Sequence, residues 1–141
     1  MITTVIDRWH QFLRGSLPGG LDALLHDDCV FYSPIVFTPQ RGKELTKLYL
    51  TAAGQTFPGD QPSDGDRQSS FRYVKQILDG NTAVLEFETQ MGAVAVNGID
   101  MITCDADGKI TEFKVMIRPL KAVNEVHARM KAMLEQMTET S

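Results

Sequence analysis

Asp100 is the carboxyl group in this sequence that is best placed for acid–base chemistry. It lies in a run of residues, 93–104, in which apolar side chains recur at every second position, as they do in a strand. If that strand has no bulge, Asp100 shares a face with Val96, Ile102 and Cys104. An apolar neighbourhood raises a carboxyl pKa, so Asp100 could donate a hydrogen bond to a ligand or act as a general acid or base. The alternatives are a solvated carboxylate and a structural ion pair.

Ser33 immediately precedes Pro34 at the end of the apolar string "CVFYS". A serine in that position could be a nucleophile, a hydrogen-bond donor or a turn former. The histidines His10, His26 and His127 all fall on helical segments or their ends, and no G-x-S-x-G string is present. The sequence therefore disfavours a nucleophile and leaves a ligand-orienting hydroxyl and a strand-end residue as the two interpretations.

Metal and cofactor chemistry finds no support in the sequence. The string "DADG" at 105–108 lacks a further acidic or amide ligand before its glycine, and it falls where a turn between two strands is needed. No glycine-rich string follows a strand and opens a helix, as a dinucleotide or nucleoside triphosphate site requires. We expect no metal and no cofactor.

Helices occupy the first part of the chain. Apolar residues recur every three or four positions from Ile2 to Leu13 and are followed by Gly15, which predicts an amphipathic first helix. A short second helix is predicted to end near Asp27 and Asp28, before the strand "CVFYS". A third helical stripe covers 45–52.

Strands follow a polar segment. Residues 58–70 are rich in Gly, Pro and Asp and are typical of a loop that could act as a lid. From Phe71 onward the apolar period changes to two, which predicts strands over 71–78, 83–91, 93–104 and 110–118. Tight-turn residues separate these strands, so an antiparallel meander is expected. A last helix is predicted at about 120–138.

Composition sets limits on the partners. The chain has 141 residues and a net charge of -4, so it is expected to form one domain over 1–141 and lacks the basic surface that nucleic acid selects. Cys29 and Cys104 both lie in apolar runs, which fits reduced, buried thiols in a cytoplasmic protein better than a disulfide. No segment is long and apolar enough to span a membrane. Helices followed by hairpin-linked strands indicate the α+β class.

Several strings, in this order, resemble the nuclear transport factor 2-like superfamily, in particular its SnoaL-like and ketosteroid-isomerase-like branches. The strings are "RW" at 8–9, "LLHDDCVFYSP" at 24–34 leading to "RG" at 41–42, "GID" at 98–100 and "DGKITEFKV" at 107–115. The resemblance covers about residues 1–120. It implies a cone-shaped α+β barrel, in which a curved antiparallel or mixed sheet wraps around the N-terminal helices.

The resemblance also assigns roles to three positions. The isomerase branch has its proton-shuttling aspartate before the proline, where this chain has Ser33. It has an oxyanion-binding tyrosine in the first helix, where Trp9 falls, and a carboxylic acid kept protonated by an apolar site at the position of Asp100. Only the last of these elements is retained, so steroid isomerisation is not carried over to this chain.

Side chains that the fold would gather around a cavity form the predicted ligand-binding set. They come from the first helix, the strand before Pro34, the third helix, the segments that follow Pro34 and the third helix, and the last two strands. The set is Trp9, Phe12, Tyr32, Ser33, Phe37, Tyr49, Phe57, Ile102, Phe113, Val115 and Ile117. Aromatic residues at helical spacing often belong to a core, whereas Tyr32 and Tyr49 also carry hydroxyls that need a partner when buried.

The function expected is binding of a small apolar or polyketide-like molecule, with isomerisation, cyclisation or hydration as candidate reactions and Asp100 as the catalytic group. The alternative is a non-catalytic module that binds a ligand or mediates association. The outward face of the sheet, which carries Met101 and Met116 beside Glu86 and Glu88, is expected to form a homodimer.

Overall fold

The computed structural model describes residues 1–56 and 71–139. Four helices and six strands follow one another along these residues. They are α1 (Ile2–Leu13), α2 (Gly20–Leu24), β1 (Leu25–Tyr32), β2 (Gln40–Arg41), α3 (Lys43–Thr56), β3 (Arg72–Asp79), β4 (Thr82–Met91), β5 (Val94–Cys104), β6 (Ile110–Arg118) and α4 (Leu120–Glu139). The predicted α+β class is confirmed.

All six strands form one sheet in the order β2-β1-β6-β5-β4-β3. Strands β3 to β6 pair antiparallel as a meander, and β1 pairs antiparallel with β2 but parallel with β6. The sheet is mixed because β6, the last strand of the meander, lies beside β1 and runs parallel to it.

The hairpin turns depend on glycine. Gly80 connects β3 to β4 with a φ of 61°, and Gly92 connects β4 to β5 with a φ of 62°. A positive φ is accessible to glycine without the steric cost that a Cβ brings, and two-residue hairpins require it. These turns fix the register that directs Asp100 to the inner face of β5.

The core lies between α1 and the inner face of the sheet. On α1, Ile2, Val5, Ile6 and Trp9 are buried, at the spacing of one helix face. They pack with inward side chains of the strands, such as Phe31 on β1. A second cluster joins α4 to the other end of the sheet through Ala122, Val126, Phe87 and Val96.

The observed elements depart from the predicted ones at α2, which ends at Leu24 and not near Asp27 and Asp28, and at β1 and β2. Strand β1 begins at Leu25, four residues before the predicted strand, because a register shift between Leu25 and Val30 accommodates the exposed Asp27 and Asp28. Strand β2 was not predicted, since its two residues are defined only by pairing with β1. Phe57 and the predicted lid at 58–70 lie outside the described residues.

Candidate functional site at Asp100

A cavity of about 730 Å³ lies between α1, α3, α4 and the inner face of the sheet. Aromatic side chains from both core clusters form part of its wall. They are Trp9, Phe12, Phe31, Tyr49, Phe71, Tyr73, Phe87 and Phe113. The other charged or titratable side chains of the lining are the half-buried Lys47 on α3 and four exposed residues, Asp22 on α2 and His127, Lys131 and Glu135 on α4.

Asp100 reaches this cavity from β5. It pairs with Leu85 on β4 and Val115 on β6, so that its side chain leaves the middle of the sheet on the inner face. Only 6% of the residue is exposed. Burial disfavours the charged carboxylate and raises the pKa of Asp100 to about 7.

A chain of hydrogen bonds connects Asp100 to α1. The Tyr73 hydroxyl donates to Oδ2 of Asp100 over 2.6 Å, and Nε1 of Trp9 donates to the Tyr73 hydroxyl oxygen over 3.0 Å. Burial and the neighbouring Asp100 raise the pKa of Tyr73 well above its ordinary value, so its hydroxyl keeps its proton near neutral pH. The bond from Tyr73 lowers the pKa of Asp100 and thus partly opposes burial.

Tyr73 was not among the predicted site residues. A bulge at Val74, between the register pairs of Tyr73 and Lys75, places the Tyr73 ring against Phe71 and Phe87. Its alternation with Phe71 at the start of the predicted strand was the available signal, because both side chains then face the same side of the sheet.

Ser33 also lines the cavity, but its oxygen is engaged by the backbone. Oγ accepts hydrogen bonds from the N–H groups of Ile35 over 2.9 Å and Val36 over 3.2 Å. This is the pattern of a serine that stabilises a turn after a strand. The turn-forming interpretation of Ser33 therefore has direct structural support, and its hydroxyl hydrogen can still be donated toward the cavity.

The structure brings most of the predicted ligand-binding residues together. Trp9, Phe12, Ser33, Tyr49, Phe113 and Val115 line the same cavity as Asp100. Their role in binding stays a prediction. Phe57 lies outside the described residues.

Four members of the predicted set do not line the cavity. Tyr32 alternates to the outward face of β1, where Nζ of Lys114 lies 4.7 Å from its ring centroid. Phe37 is 99% exposed in the loop after β1, beyond the strand that would direct it inward. Ile102 is completely buried in the core beneath α1, and Ile117 packs under α4, which covers that end of the sheet.

Other kinds of site find no support in the described part of the chain. Within 1–56 and 71–139, no group of three or more His, Cys, Asp or Glu residues could hold a metal ion. Among the same residues, no helix is long and apolar enough to cross a membrane.

Several solved structures of other proteins share this architecture. A steroid delta-isomerase from Pseudomonas aeruginosa is 31% identical, with a TM-score of 0.84, over 98% of this chain and 94% of that one. An uncharacterised protein with a cystatin-like fold from Silicibacter pomeroyi is 29% identical, with a TM-score of 0.75, over 91% of this chain and 83% of that one. An NTF2-like protein of unknown function from Mesorhizobium loti is 17% identical, with a TM-score of 0.64, over 84% of this chain and 91% of that one. These likenesses confirm the cystatin-like, NTF2-like fold with its curved mixed sheet.

Comparison with families gives a narrower result. No curated protein is significantly similar to the chain. The model of the SnoaL-like domain, however, matches residues 6–113, which include Trp9, Ser33, Tyr73 and Asp100. The chain belongs to the SnoaL-like domain family.

Proposed function

We propose that this protein binds a flat, apolar, oxygen-bearing small molecule in its cavity and that Asp100 exchanges a proton with that molecule. The observation that carries the proposal is a carboxyl that, alone among those of the described residues, is buried, and that has a pKa of about 7 at a cavity lined in part by aromatic rings. Both protonation states of Asp100 are then populated near neutral pH, which is the condition for an efficient general acid or base.

The aromatic part of the cavity wall favours a ligand with fused or linked rings. Trp9 packs against Phe113 with ring centroids 4.9 Å apart, and Phe31 stacks on Tyr49 at 5.4 Å. Flat surfaces of this kind complement flat apolar molecules. A volume of about 730 Å³ is also within the usual range for small-molecule sites.

The reaction class follows from the position of the acid. Isomerisation, cyclisation and hydration each require a proton to be added to or taken from the ligand, and Asp100 can do either. The Pseudomonas aeruginosa relative is named a steroid delta-isomerase, which supports ring-containing ketones as the first ligands to test. The isomerase branch has its proton-shuttling aspartate before the proline, where this chain has Ser33. Asp100 is therefore the proposed proton carrier here.

Binding can be tested with two probes of the same shape. 2-Acetylnaphthalene carries a carbonyl that accepts a hydrogen bond, and 2-isopropenylnaphthalene replaces that oxygen with a CH₂ group. Protonated Asp100 donates a hydrogen bond to the carbonyl. The preference for the ketone, measured as the ratio of the dissociation constants of the two probes, should therefore fall roughly tenfold as the pH rises from about 6 to 8.5. In Asp100→Asn, which donates at every pH, the preference should not change. A ketone preference in the wild type that does not vary with pH would contradict the proposal.

Catalysis can be separated from binding with an enolisable ketone. 2-Tetralone in D₂O exchanges the hydrogens beside its carbonyl, and proton NMR follows the loss of their signal. If Asp100 acts as a base, the protein accelerates exchange increasingly as the pH rises through about 7, and Asp100→Asn does not. Binding of the ketone without acceleration would favour the second candidate, a non-catalytic binding module, which the engagement of the Ser33 oxygen in a turn also supports.

A homodimer formed through the outward face of the sheet is part of the proposal. On that face, Met116 of β6 is 48% exposed, and Met101 lies on the neighbouring strand. Farther along the same face, Glu88 of β4 pairs with Arg72 over 2.8 Å, which provides a polar border to the apolar centre. Sedimentation at several concentrations should show a dimer that Met116→Lys weakens; a monomer throughout would contradict this part of the proposal.

A reducing, cytoplasmic setting is proposed because Cys29 and Cys104 are both unpaired and buried.

A further inference from the structure

We propose that Tyr73 is a positioning residue that gives the two carboxyl oxygens of Asp100 different roles. The Tyr73 hydroxyl accepts a hydrogen bond from Trp9 and donates one to Oδ2 of Asp100. This leaves Oδ1 as the oxygen that contacts the ligand. This inference rests on the proposed function, because it concerns the same acid–base group.

The direction of the hydrogen-bond chain follows from the chemistry of its first member. An indole Nε1–H can only donate, so the Tyr73 oxygen must accept the bond from Trp9. The single hydroxyl hydrogen of Tyr73 is then directed to Asp100, where the short distance of 2.6 Å is typical of a bond to a carboxylate. Tyr73 cannot donate to a ligand while this arrangement holds.

The two oxygens of Asp100 therefore become unequal. Oδ2 accepts from Tyr73 in the carboxylate form, and it can continue to accept in the acid form only if the added proton is on the other oxygen. Within residues 1–56 and 71–139, Oδ1 has no hydrogen-bond partner, and Asp100 lines the cavity. Oδ1 thus carries the exchangeable proton and presents it to the ligand.

Packing keeps Tyr73 in this position. Its ring makes edge contacts with Phe71 at 5.2 Å and with His10 at 5.6 Å between centroids. Trp9 is held in turn between Phe12 and Phe113. Because both partners are fixed by aromatic packing, the hydroxyl reaches Asp100 without rearrangement of the cavity when a ligand binds.

Tyr73 also adjusts the acidity of Asp100. Donation from Tyr73 stabilises the carboxylate and offsets part of the effect of burial. Since the pKa of Tyr73 is itself raised, the hydroxyl remains a neutral donor over the range in which Asp100 titrates. Removal of the hydroxyl should leave burial unopposed, so that Asp100 holds its proton to higher pH.

The test is a carbon-13 titration of the Asp100 carboxyl in Tyr73→Phe, which removes the hydroxyl and keeps the ring. The midpoint is expected to rise by about one unit from the wild-type value. Trp9→Phe, which removes the donor to Tyr73 together with part of the buried ring, should give a smaller rise, because the donor strength of the tyrosine depends on the bond it accepts. Tyr49→Phe is the matched control, since it removes a hydroxyl from the same cavity and should leave the midpoint unchanged.

Binding of 2-acetylnaphthalene provides a second measurement that a purely structural residue would not affect. In Tyr73→Phe, the pH at which the ketone preference declines should move upward together with the Asp100 midpoint. An unchanged midpoint in a folded Tyr73→Phe protein, judged by near-UV circular dichroism, would overturn the inference. If Tyr73→Phe does not fold, Trp9→Phe decides the question in the same way: a rise supports the inference and no rise overturns it. A wild-type midpoint near 4 would instead overturn the proposed function itself.

Discussion

Ser33 at the end of β1 and Asp100 in the middle of β5 reach the same cavity, but their oxygens are used differently. The Ser33 oxygen accepts two backbone N–H bonds from the residues that follow it. Asp100 has one oxygen bonded to Tyr73, and its other oxygen has no partner among the described residues. The Ser33 oxygen is thus already occupied as an acceptor, whereas Asp100 keeps one oxygen that can accept or carry a proton.

Asp100 and Ser33 also differ in what holds them in place. Asp100 is held from three strands, because Tyr73 lies on β3 and the neighbours Leu85 and Val115 lie on β4 and β6. Ser33 depends on a local turn of four residues. Changes at Asp100 should therefore affect ionisation and global stability, whereas changes at Ser33 should have local effects.

The largest expected effect is on the pH dependence of stability, and Asp100→Asn tests it. In the unfolded chain an aspartate ionises near pH 4, whereas folded Asp100 has a pKa of about 7. The unfolded chain therefore loses its proton first, so the free energy of unfolding should fall as pH rises from about 4 to 7. Denaturation at pH 5 and pH 8 should show this loss to be about 3 kcal/mol larger in the wild type than in the Asn variant.

Other carboxyl groups with shifted pKa values do not contribute to this difference between the wild type and Asp100→Asn. Lys47 lowers the pKa of Asp22, and backbone N–H groups lower the pKa of Asp105. Their contributions to the free energy of unfolding therefore change in the opposite direction and at more acidic pH. They are present in both proteins and cancel in the difference. Equal losses in the wild type and Asp100→Asn would show that Asp100 is not buried as described.

The next effect in size concerns the packing beside Asp100. A Cβ at Gly98 would lie 2.5 Å from Cζ of Phe87 and 2.6 Å from the carbonyl oxygen of Met116. Because the backbone oxygen cannot move freely, Gly98→Ala should reduce the free energy of unfolding by about 1–3 kcal/mol. Thermal denaturation measures this loss. A variant as stable as the wild type would show that the sheet tolerates a shift at this point.

A smaller effect is expected at Ser33. In Ser33→Ala the N–H groups of Ile35 and Val36 lose their acceptor, which should cost about 1 kcal/mol by analogy with the loss of a helix cap. The Asp100 midpoint should not change. A shifted midpoint would mean that the two residues are coupled and that the contrast between them is wrong.

The smallest effect is expected at Phe37. Because its side chain is almost completely exposed, Phe37→Ala should change the free energy of unfolding by less than about 0.5 kcal/mol. Denaturation at neutral pH checks this. A loss comparable with that of Gly98→Ala would show that the Phe37 side chain packs against the protein, as its place in the predicted ligand-binding set requires.

Local periodicity made much of the fold predictable. The face of α1 and the strands β3 to β6 follow apolar spacings of three to four and of two residues, and glycine marks the hairpin turns. Asp100 could be placed on the inner face by the same alternation. These features depend on neighbours within one element, which a single sequence records directly.

The remaining features depend on contacts between distant residues. Tyr73 lies 64 residues from Trp9 and 27 from Asp100, so its bonds exist only after the sheet and α1 have packed together. Ile117 was predicted to continue the wall formed by Phe113 and Val115, but α4 covers that end of the sheet. A period of two indicates the face of a strand and does not indicate which part of that face a later helix will cover.

The titration of Asp100 in the wild-type protein without ligand tests the account most directly. Carbon-13 labelling of the aspartates and assignment through Asp100→Asn would isolate its carboxyl signal. We predict a midpoint near 7, because burial keeps the acid protonated well above its ordinary range. A midpoint near 4 would show a carboxylate in contact with water, and the proposed proton exchange at this residue would then have no basis.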